Sequence, residues 1–443
     1  MQASIQEVTS KIIEIEKRND LFSWHIDDIY IWEIIRYKVY MMALNNALER
    51  SQSQKKNIVT KVKSFYKKVV FNLRKYFNAI IHQPYTDSVA VDVMIIESSR
   101  KLLFEGEYID PYTKFTYDKL LCEGKSITKY QSSFTFDCLA KNGSDIKHFD
   151  LPYIIAGIGA RLRTITINKE DEQKIKELKE EIETELDLVI DLHHLISEEI
   201  KIFKLKNRFF TKLLNKKKPK EIYLVNFCDK PALIASAKKQ KIKVIDIQHG
   251  LISSGDLIYN YPNTNDGTLN YFPDQFYAWS EVWSNICKIP LKKENIINYG
   301  NPYLTIISSK YKNSIVKKKQ SIIISQPGIT ELILDLLIKN INSFKGYEIL
   351  FKFHPNEYSY GFGLEQTKLL QSKYKVVFLD EKIDLYQKLA ESVNAYGAGS
   401  TTLIEALEFN CKVFVFNLPS SEWMIPFIDD KKISWFNENA LKN

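Results

Sequence analysis

Short apolar runs alternate with amphipathic helical patterns through the second half of the chain. The apolar runs predict strands at residues 321–325, 347–353, 376–379, 393–396 and 412–416. Helical spacing of apolar positions predicts helices between them, at residues 330–341, 384–390 and 402–407. Strands that alternate with helices in this way are typical of a parallel, doubly wound sheet. We therefore predict an α/β domain over residues 296–443.

The first half of the chain shows the same alternation, with longer helical patterns around it. Strands are predicted at 91–96, 221–225, 243–249 and 276–279, and Pro231 is well placed to begin a helix over 231–239. A long charged helix is predicted over 168–204, because apolar residues keep helical spacing among Glu and Lys. These elements predict a second α/β domain over residues 86–295. Residues 1–85 are predicted to be a helical extension.

Composition narrows the class of protein. The 443 residues are 45% hydrophobic, which is enough for the cores of two domains. No apolar run reaches the roughly 18 residues of a membrane span, and charged residues interrupt the N-terminal apolar positions, unlike a signal peptide. The cysteines are five, scattered and without a CxxC pair. This usage predicts a reducing, cytoplasmic location and no zinc site.

The formal net charge of +8 is concentrated in one segment. Residues 50–86 contain no carboxylate, and their lysines alternate with apolar residues that share one helical face. A basic amphipathic helix of this kind can lie on an anionic membrane surface, which predicts a peripheral contact with the inner membrane through residues 55–80. An ordinary surface helix is the alternative. Nucleic acid is not an expected partner, because no recognised binding motif accompanies the charge.

The strand at 243–249 ends in a polar tip. Gln248 and His249 follow its β-branched residues, and Gly250 allows the backbone a sharp turn. In open α/β sheets, ligands bind beyond the carboxyl ends of the strands. His249 is therefore a candidate functional residue, with a hydrogen-bonded turn histidine as the alternative interpretation.

Two further tips occur in the second domain. His354 precedes Pro355, which directs the chain away from a helix at that point. After the strand at 393–396, a glycine-rich turn leads into a helix whose N-terminus can bind a phosphate without a metal. The predicted phosphate-binding residues of that turn are Gly399, Ser400, Thr401 and Thr402, with Glu405 completing a capping box with Thr402. An ordinary surface turn and a well-capped helix are the alternatives.

With these three tips, the chain resembles the GT-B glycosyltransferases of bacterial capsule and lipopolysaccharide synthesis over residues 90–420. The likeness is to bacterial sialyltransferases with His-Pro and Ser-Ser/Thr motifs, and to CDP-glycerol glycerophosphotransferases with a His-Gly tip and a later His-Pro. It implies two Rossmann-like domains that face a cleft. It also implies that His354, Ser400 and Thr401 contact the phosphates of the donor nucleotide.

The same resemblance suggests a catalytic base. In the glycerophosphotransferases the histidine of the His-Gly tip is a proposed base, and here it corresponds to His249. The sialyltransferases use an acidic base in an Asp/Glu-Asp/Glu-Gly motif, which this sequence lacks; this speaks against a sialic acid donor. Asp246 and Asp110 are carboxylate alternatives for the base. Further residues expected to line the cleft are Gln248, Gly250, Asn301 and Gln326.

The function expected from these residues is sugar transfer from a nucleotide sugar to a growing surface polysaccharide. The co-substrate would be CMP-, CDP- or UDP-linked and the acceptor lipid-linked or an oligosaccharide. No strand is followed by a DxD-type motif, so no metal and no other cofactor are expected. The alternatives are a polyol-phosphate transferase of the CDP-glycerol type and a non-catalytic nucleotide-sugar-binding scaffold. The 2-epimerases of sugar nucleotides share the architecture, but their carboxylate-rich site is not evident here.

Overall fold

The computed structural model describes residues 5–49, 77, 79–85, 89–132, 146–312, 314–429, 431 and 433–437. Most of the basic segment 55–80 lies outside the described residues. The chain divides into two compact units. The first comprises Glu7–His249 and Asp256–Gly300, and the second comprises Ile5 and Gln6, Gly250–Gly255 and Asn301–Asn443. The second unit thus begins its main segment at residue 301, where the sequence suggested 296.

Strands and helices are numbered in chain order. The strands are β1 His25–Ile26, β2 Ile29–Tyr30, β3 Val93–Ile96, β4 Leu102–Phe104, β5 Glu107–Ile109, β6 Ile127–Gln131, β7 Lys147–His148, β8 Glu221–Val225, β9 Lys243–Ile247, β10 Gln275–Ala278, β11 Ile296–Asn298, β12 Lys318–Ile324, β13 Glu348–Lys352, β14 Val377–Phe378, β15 Ser392–Gly397, β16 Lys412–Val415 and β17 Ser434–Trp435. The α-helices are α1 Ile5–Arg18, α2 Ile31–Glu49, α3 Lys114–Cys122, α4 Asp150–Arg161, α5 Lys169–Leu186, α6 Leu192–Lys217, α7 Pro231–Lys239, α8 Glu281–Asn285, α9 Pro302–Lys312, α10 Thr330–Lys339, α11 Glu365–Tyr374, α12 Leu385–Glu391, α13 Thr401–Leu407 and α14 Ile425–Asp429. The 3₁₀ turns are Phe227–Asp229, Lys293–Asn295, Ile341–Phe344, Pro355–Glu357, Gly361–Gly363 and Ser421–Met424.

The first unit is built on a parallel sheet of seven strands in the order β11-β10-β9-β8-β3-β6-β7. Counted from β3, this is the Rossmann order 3-2-1-4-5-6 with one more strand at the edge. Its central strands bury nearly every side chain, as expected for a sheet covered on both faces. On one face, Ile245 and Ile247 pack with Leu120 of α3.

The predicted helix over 168–204 is wrong in one respect. The structure has two helices there, α5 and α6, separated by an extended segment. Asp187 ends α5 in the left-handed conformation, with φ at 50°, and Val189 is 90% exposed. The apolar spacing continues through the break, so the pattern alone cannot reveal it. The side chain of Asp191 then caps α6 by accepting a hydrogen bond from the backbone N–H of His194, at 3.0 Å.

Helix α2 and α1 from Glu7 onward belong to the first unit and do not form a separate extension. Arg36 on α2 is buried, and it forms an ion pair with Glu16 of α1 at 2.6 Å. Its guanidinium also donates to the backbone oxygen of Asn260 at 2.8 Å. Glu33 accepts from the backbone N–H of Tyr271 at 2.7 Å. Because a buried charge needs partners, these contacts fix both helices to the unit.

The second unit is built on a parallel sheet of six strands in the order β14-β13-β12-β15-β16-β17. Counted from β12, this is the Rossmann order 3-2-1-4-5-6. Its core contains aromatic residues from several strands, among them Phe351 and Tyr396, packed with Leu334 of α10. Two α/β units with doubly wound parallel sheets confirm the predicted fold class. Among the described residues, no helix is both long and apolar enough to cross a membrane.

Candidate functional site

The order of the second sheet places a topological switch point between β12 and β15. These neighbouring strands are followed by connections that run in opposite directions, and such a switch point opens a crevice at the carboxyl ends of the strands. Gln326, just after β12, accepts a hydrogen bond from the backbone N–H of Gly399 at 3.0 Å. Its amide also donates to Ser420 Oγ at 2.7 Å. Gln326 therefore holds the two loops of the switch point together.

His354 stands at the end of β13, beside that switch point. Its backbone N–H donates to Glu357 Oε2 at 2.6 Å, and Glu357 also accepts from Ser325 Oγ at 3.1 Å and from the hydroxyl of Thr330. The Glu357 side chain is fully buried. Pro355 begins the short 3₁₀ turn, so the His-Pro tip is fixed by proline and by a buried carboxylate.

The contacts of the His354 ring determine which nitrogen carries the proton. The backbone N–H of Asn356 donates to Nδ1 at 3.2 Å. A neutral imidazole that accepts at Nδ1 carries its hydrogen on Nε2. The residue is exposed, so this N–H is a donor suited to an anionic oxygen. The tips of β13 and β15 are separated by β12, a distance of about 10 Å at ordinary strand spacing.

The start of α13 differs in part from its prediction. Ser400 is the capping residue, and its Oγ accepts from the backbone N–H of Thr402 at 3.3 Å. The capping box predicted for Thr402 and Glu405 is therefore wrong, because the cap lies two residues earlier and Glu405 is buried inside the helix. Thr401 Oγ1 accepts from the backbone N–H of Leu251 at 3.1 Å. A hydroxyl that accepts one bond can still donate another to a ligand.

Gly399 is required by the protein's own packing. A Cβ at this position would lie 2.3 Å from the backbone oxygen of Ser420. We expect Gly399→Ala to lower the free energy of unfolding by about 1–3 kcal/mol, because a neighbouring backbone has to move. Gly363→Ala is the matched control, since no atom lies within 4 Å of its Cβ position. Urea unfolding of both variants tests this, and equal stabilities would contradict the packing role.

Three of the predicted cleft residues, Gln248, Gly250 and Asn301, have defined contacts. Gln248 is fully buried, with its Oε1 accepting from the backbone N–H of Trp279 at 2.7 Å. It thus joins the end of β9 to the end of β10. Gly250 lies against Thr401 within the second unit. Asn301 accepts from the backbone N–H of Leu304 at 3.1 Å and so caps α9. Gln248 and Asn301 therefore have structural contacts that the sequence did not predict.

His249 follows β9 at the carboxyl edge of the first sheet. Its ring stands edge-on to Tyr112, with centroids 6.2 Å apart and planes at 86°. Its Nδ1 is buried and has no hydrogen-bond partner among the described residues. Burial and the positive charge of Lys230 lower the pKa of His249 to about 4, with a smaller contribution from Arg100 and against the opposing charge of Asp229. The imidazole is therefore neutral near pH 7.

Asp246 is directed to the other face of the sheet. It is buried, and its Oδ2 accepts from the hydroxyl of Tyr259 at 2.8 Å. Burial raises the pKa of Asp246 to about 7, although the Tyr259 hydrogen bond opposes the shift. Its neighbours Ile245 and Ile247 belong to the cluster on the α3 face, and side chains alternate along a strand. The structure thus places Asp246 and His249 in different surroundings.

Asp110 lies at the same edge as His249, beneath the loop that follows β3. Its Oδ1 accepts from the backbone N–H of Tyr112 at 2.8 Å, and its Oδ2 accepts from that of Ser98. A buried ion pair between Lys101 and Glu97 lies beside it. Burial, and next the negative charge of Glu97, raise the pKa of Asp110 to about 6, while Lys101 opposes them. This carboxylate therefore orders the loop that carries Tyr112.

Three residues at these edges were given no role from the sequence. Arg100 donates to the hydroxyl of Tyr112 at 2.7 Å and so supports the ring that contacts His249. Lys230 donates to the backbone oxygen of Asn226 at 2.7 Å, after β8. Glu357 braces the turn at His354. Only Glu357 has a local signal, since its spacing from His354 is that of a capping box. Among the described residues, no three His, Cys, Asp or Glu side chains cluster as a metal site would require.

Comparisons with known proteins give only distant structural likenesses. No protein-family model and no curated protein matches the chain. The UDP-GlcNAc 2-epimerase of Methanocaldococcus jannaschii is 12% identical, with 79% of this chain and 90% of that chain covered and a TM-score of 0.45. The Neisseria meningitidis enzyme bound to UDP-GlcNAc is 13% identical, with coverages of 78% and 87% and a TM-score of 0.45. The wall teichoic acid polymerase TagF is 13% identical, with coverages of 82% and 79% and a TM-score of 0.38. These values assign no activity to the chain.

Proposed function

We propose that this protein is a glycosyltransferase that moves a sugar from a nucleotide sugar to a bacterial surface polysaccharide. The observation that carries the proposal is the His354 tip, beside the switch point of a Rossmann-order sheet. There a buried carboxylate fixes the turn, and a backbone N–H leaves the imidazole proton on Nε2. Transfer from a nucleotide sugar requires stabilisation of the departing phosphate, and preorganised donors supply it.

The second unit is proposed to bind the donor. The Nε2–H of His354 would donate to a phosphate oxygen, and the hydroxyls of Ser400, Thr401 and Thr402 would donate from the start of α13. Ser400 and Thr401 each accept one hydrogen bond within the protein, so their own hydrogens remain to be directed at a ligand. These groups hold a phosphate without a metal ion, which makes metal-independent transfer part of the proposal.

The first unit is proposed to supply the base. An acceptor hydroxyl attacks the anomeric carbon, the bond from that carbon to the phosphate oxygen breaks, and the hydroxyl proton passes to a base. His249 is unprotonated near pH 7 and can therefore accept a proton, although its lowered pKa makes it a weak base before a donor binds. Negative charge brought near by a donor would raise that pKa and so make the ring a better proton acceptor. Asp110 and Asp246 remain carboxylate alternatives.

A panel of nucleotide sugars tests the donor assignment. We expect one class among CMP-, CDP-, UDP- and GDP-sugars to raise the melting temperature, because a ligand that binds only the folded chain stabilises it. At a concentration 100 times the Kd, the stabilisation is about 2.7 kcal/mol. The shift should survive EDTA. If no nucleotide stabilises the protein, the donor site is wrong and a non-catalytic scaffold without a nucleotide ligand becomes the better description.

A polyol-phosphate transferase of the CDP-glycerol type is a second candidate. The surroundings of His249 favour it, because Lys230 and Arg100 bring positive charge toward the ring, and such charge suits a reacting phosphate. The same panel separates the two candidates when CDP-glycerol is included. Stabilisation by CDP-glycerol and release of CMP would support the second candidate. Release of a nucleoside diphosphate from a UDP- or GDP-sugar, or of CMP from a CMP-sugar, would support sugar transfer. Membrane contact through residues 55–80 stays a prediction.

A further inference from the structure

A cavity in the first unit lies between α3 and one face of the sheet. Its volume is about 360 Å³, within the roughly 300–1,000 Å³ of small-molecule sites. Tyr223, Tyr277 and Tyr299 form its aromatic wall, and Thr116 and Glu123 face it from α3. We propose that this cavity binds a hydroxyl-rich saccharide segment of the acceptor. The acceptor role of this saccharide rests on the proposed function, but saccharide binding by the cavity can be tested independently of it.

The aromatic wall is the first argument. The rings of Tyr277 and Tyr299 lie 4.9 Å apart at 32°, and Tyr223 meets Tyr277 edge-on at 6.0 Å. Tyr277 and Tyr299 are only partly buried, so part of their surface faces the opening. A tyrosine ring offers an apolar face to the C–H groups of a sugar and a hydroxyl to its polar edge. Rigid rings lose little conformational entropy when a ligand binds.

The hydroxyl groups are the second argument. The Tyr299 hydroxyl shares a hydrogen bond with Thr116 Oγ1 at 2.8 Å. The Tyr223 hydroxyl donates to Glu221 at 3.1 Å. Because a hydroxyl can donate once and accept twice, each retains capacity for a further bond. The wall is therefore preorganised, and it presents donors and acceptors together, as a sugar requires.

Charge and composition argue against other ligands. The lining contains three lysines and three carboxylates, and therefore no net charge; these are Lys119, Lys125, Lys220, Asp92, Glu123 and Glu221. Lys220 and Asp92 are an ion pair at 3.2 Å. A polyphosphate would require an excess of positive charge. A lipid chain would require an aliphatic lining, but only Val93 and Leu120 are aliphatic among the residues that line the cavity.

The cavity extends along α3 from the half of the helix nearer His249 to the amino edge of the sheet, where Asp92 and Lys220 line it. Helix α3 begins at Lys114, two residues after Tyr112, whose ring contacts His249. The cavity follows α3 from Thr116 to Glu123, about 10 Å along the helix axis. A saccharide chain in the cavity would thus lie along the helix that starts at the His249 edge of the sheet. The site is separate from the proposed phosphate-binding residues, which belong to the second unit.

A glycan array of bacterial oligosaccharides, probed with the full chain, tests the inference. We expect the unaltered protein to bind a set of the immobilised oligosaccharides. Tyr277→Ala or Tyr299→Ala should weaken this binding about tenfold, or ~1.4 kcal/mol. Tyr85→Ala is the matched control, an exposed tyrosine of the same unit outside the cavity. Glu123→Trp, at the exposed end of α3, should block the opening of the cavity without disturbing the core. This variant therefore tests the site even if a tyrosine variant does not fold.

The outcomes separate this inference from the proposed function. If the unaltered protein binds no oligosaccharide, or if the folded variants bind them as well as it does, the assignment of a saccharide site to the cavity is wrong. That conclusion holds whether or not a nucleotide sugar stabilises the protein. The protein could also bind saccharides in a way that Glu123→Trp abolishes, while no nucleotide stabilises it. That result would support the saccharide site in the cavity but not its role in binding an acceptor.

Discussion

His249→Ala is expected to lower the rate of transfer by about 10²–10⁴-fold, the usual contribution of a positioned general base. The reason is the neutral imidazole at the end of β9, held edge-on to Tyr112 and kept unprotonated by burial and by Lys230. Donor binding should remain, because the proposed phosphate contacts belong to the second unit. The measurement is the initial rate of nucleotide release, with the melting temperature in saturating donor as a check on binding.

Matched variants make this result specific. His193→Ala removes an exposed histidine on α6 whose only described role is a contact with Glu172 at 3.1 Å, and its rate should be unchanged. Arg100→Gln removes the guanidinium that supports Tyr112 and should lower the rate less than His249→Ala does. A His249→Ala variant with normal turnover would remove the base assignment and leave His249 as a turn residue.

The pH profile of kcat/KM distinguishes His249 from the two carboxylate candidates for the base. A base works only when unprotonated, so kcat/KM falls as the pH drops below the pKa of that base in the free enzyme. Because the pKa of His249 is lowered and the pKa values of Asp110 and Asp246 are raised, the fall should begin at a lower pH for His249 than for either carboxylate. The His249 assignment predicts a profile without an acid-side fall from pH 7 down to about 5. A fall centred near 6 or 7 would favour one of the two carboxylates.

The strands and helices that the sequence predicted in the second unit are present with similar bounds, whereas α9, α11, α14 and β17 were not predicted. The predicted helix 330–341 corresponds to Thr330–Lys339, and the predicted strand 412–416 to Lys412–Val415. Such elements are defined by local periodicity, which the sequence contains directly. The break after Asp187 could not be predicted, because it depends on a left-handed residue inside a continuous apolar pattern. The hairpin of β4 and β5 was not predicted either.

The candidate site could be predicted in its positions but not in its contacts. Turn residues such as Gly250 and Pro355 show where strands end, and so where His249 and His354 stand. What each polar side chain bonds to depends on residues distant in sequence. Gln326 was expected to line a cleft, and its amide bonds to Gly399 and to Ser420, which lie 73 and 94 positions after it in the sequence. The same holds for Asp246 and Asp110, because the pKa of each carboxyl depends on buried neighbours that the sequence does not reveal.

His354→Ala is expected to weaken donor binding about 10- to 100-fold. A hydrogen bond to a charged phosphate contributes about 1.5–3 kcal/mol, and about 1.4 kcal/mol corresponds to a tenfold change in Kd. The effect should fall on Kd for the nucleotide itself as well as for the nucleotide sugar, because the proposed contact is with phosphate. Isothermal titration with the nucleotide identified in the panel measures it directly. A change smaller than twofold would leave His354 as a surface turn residue.

Glu357→Gln tests whether donor binding depends on the turn that holds His354 as well as on the imidazole ring. Glu357 accepts from His354, Ser325 and Thr330 through two oxygens, whereas glutamine offers only one acceptor oxygen and an amide that would face a donor. We expect this variant to lose stability and to weaken donor binding even though His354 is present. Tight binding in Glu357→Gln together with weak binding in His354→Ala would show that the ring acts without the brace. Weak binding in both would show that the fixed position of the Nε2 donor, and not the imidazole alone, determines affinity for the phosphate.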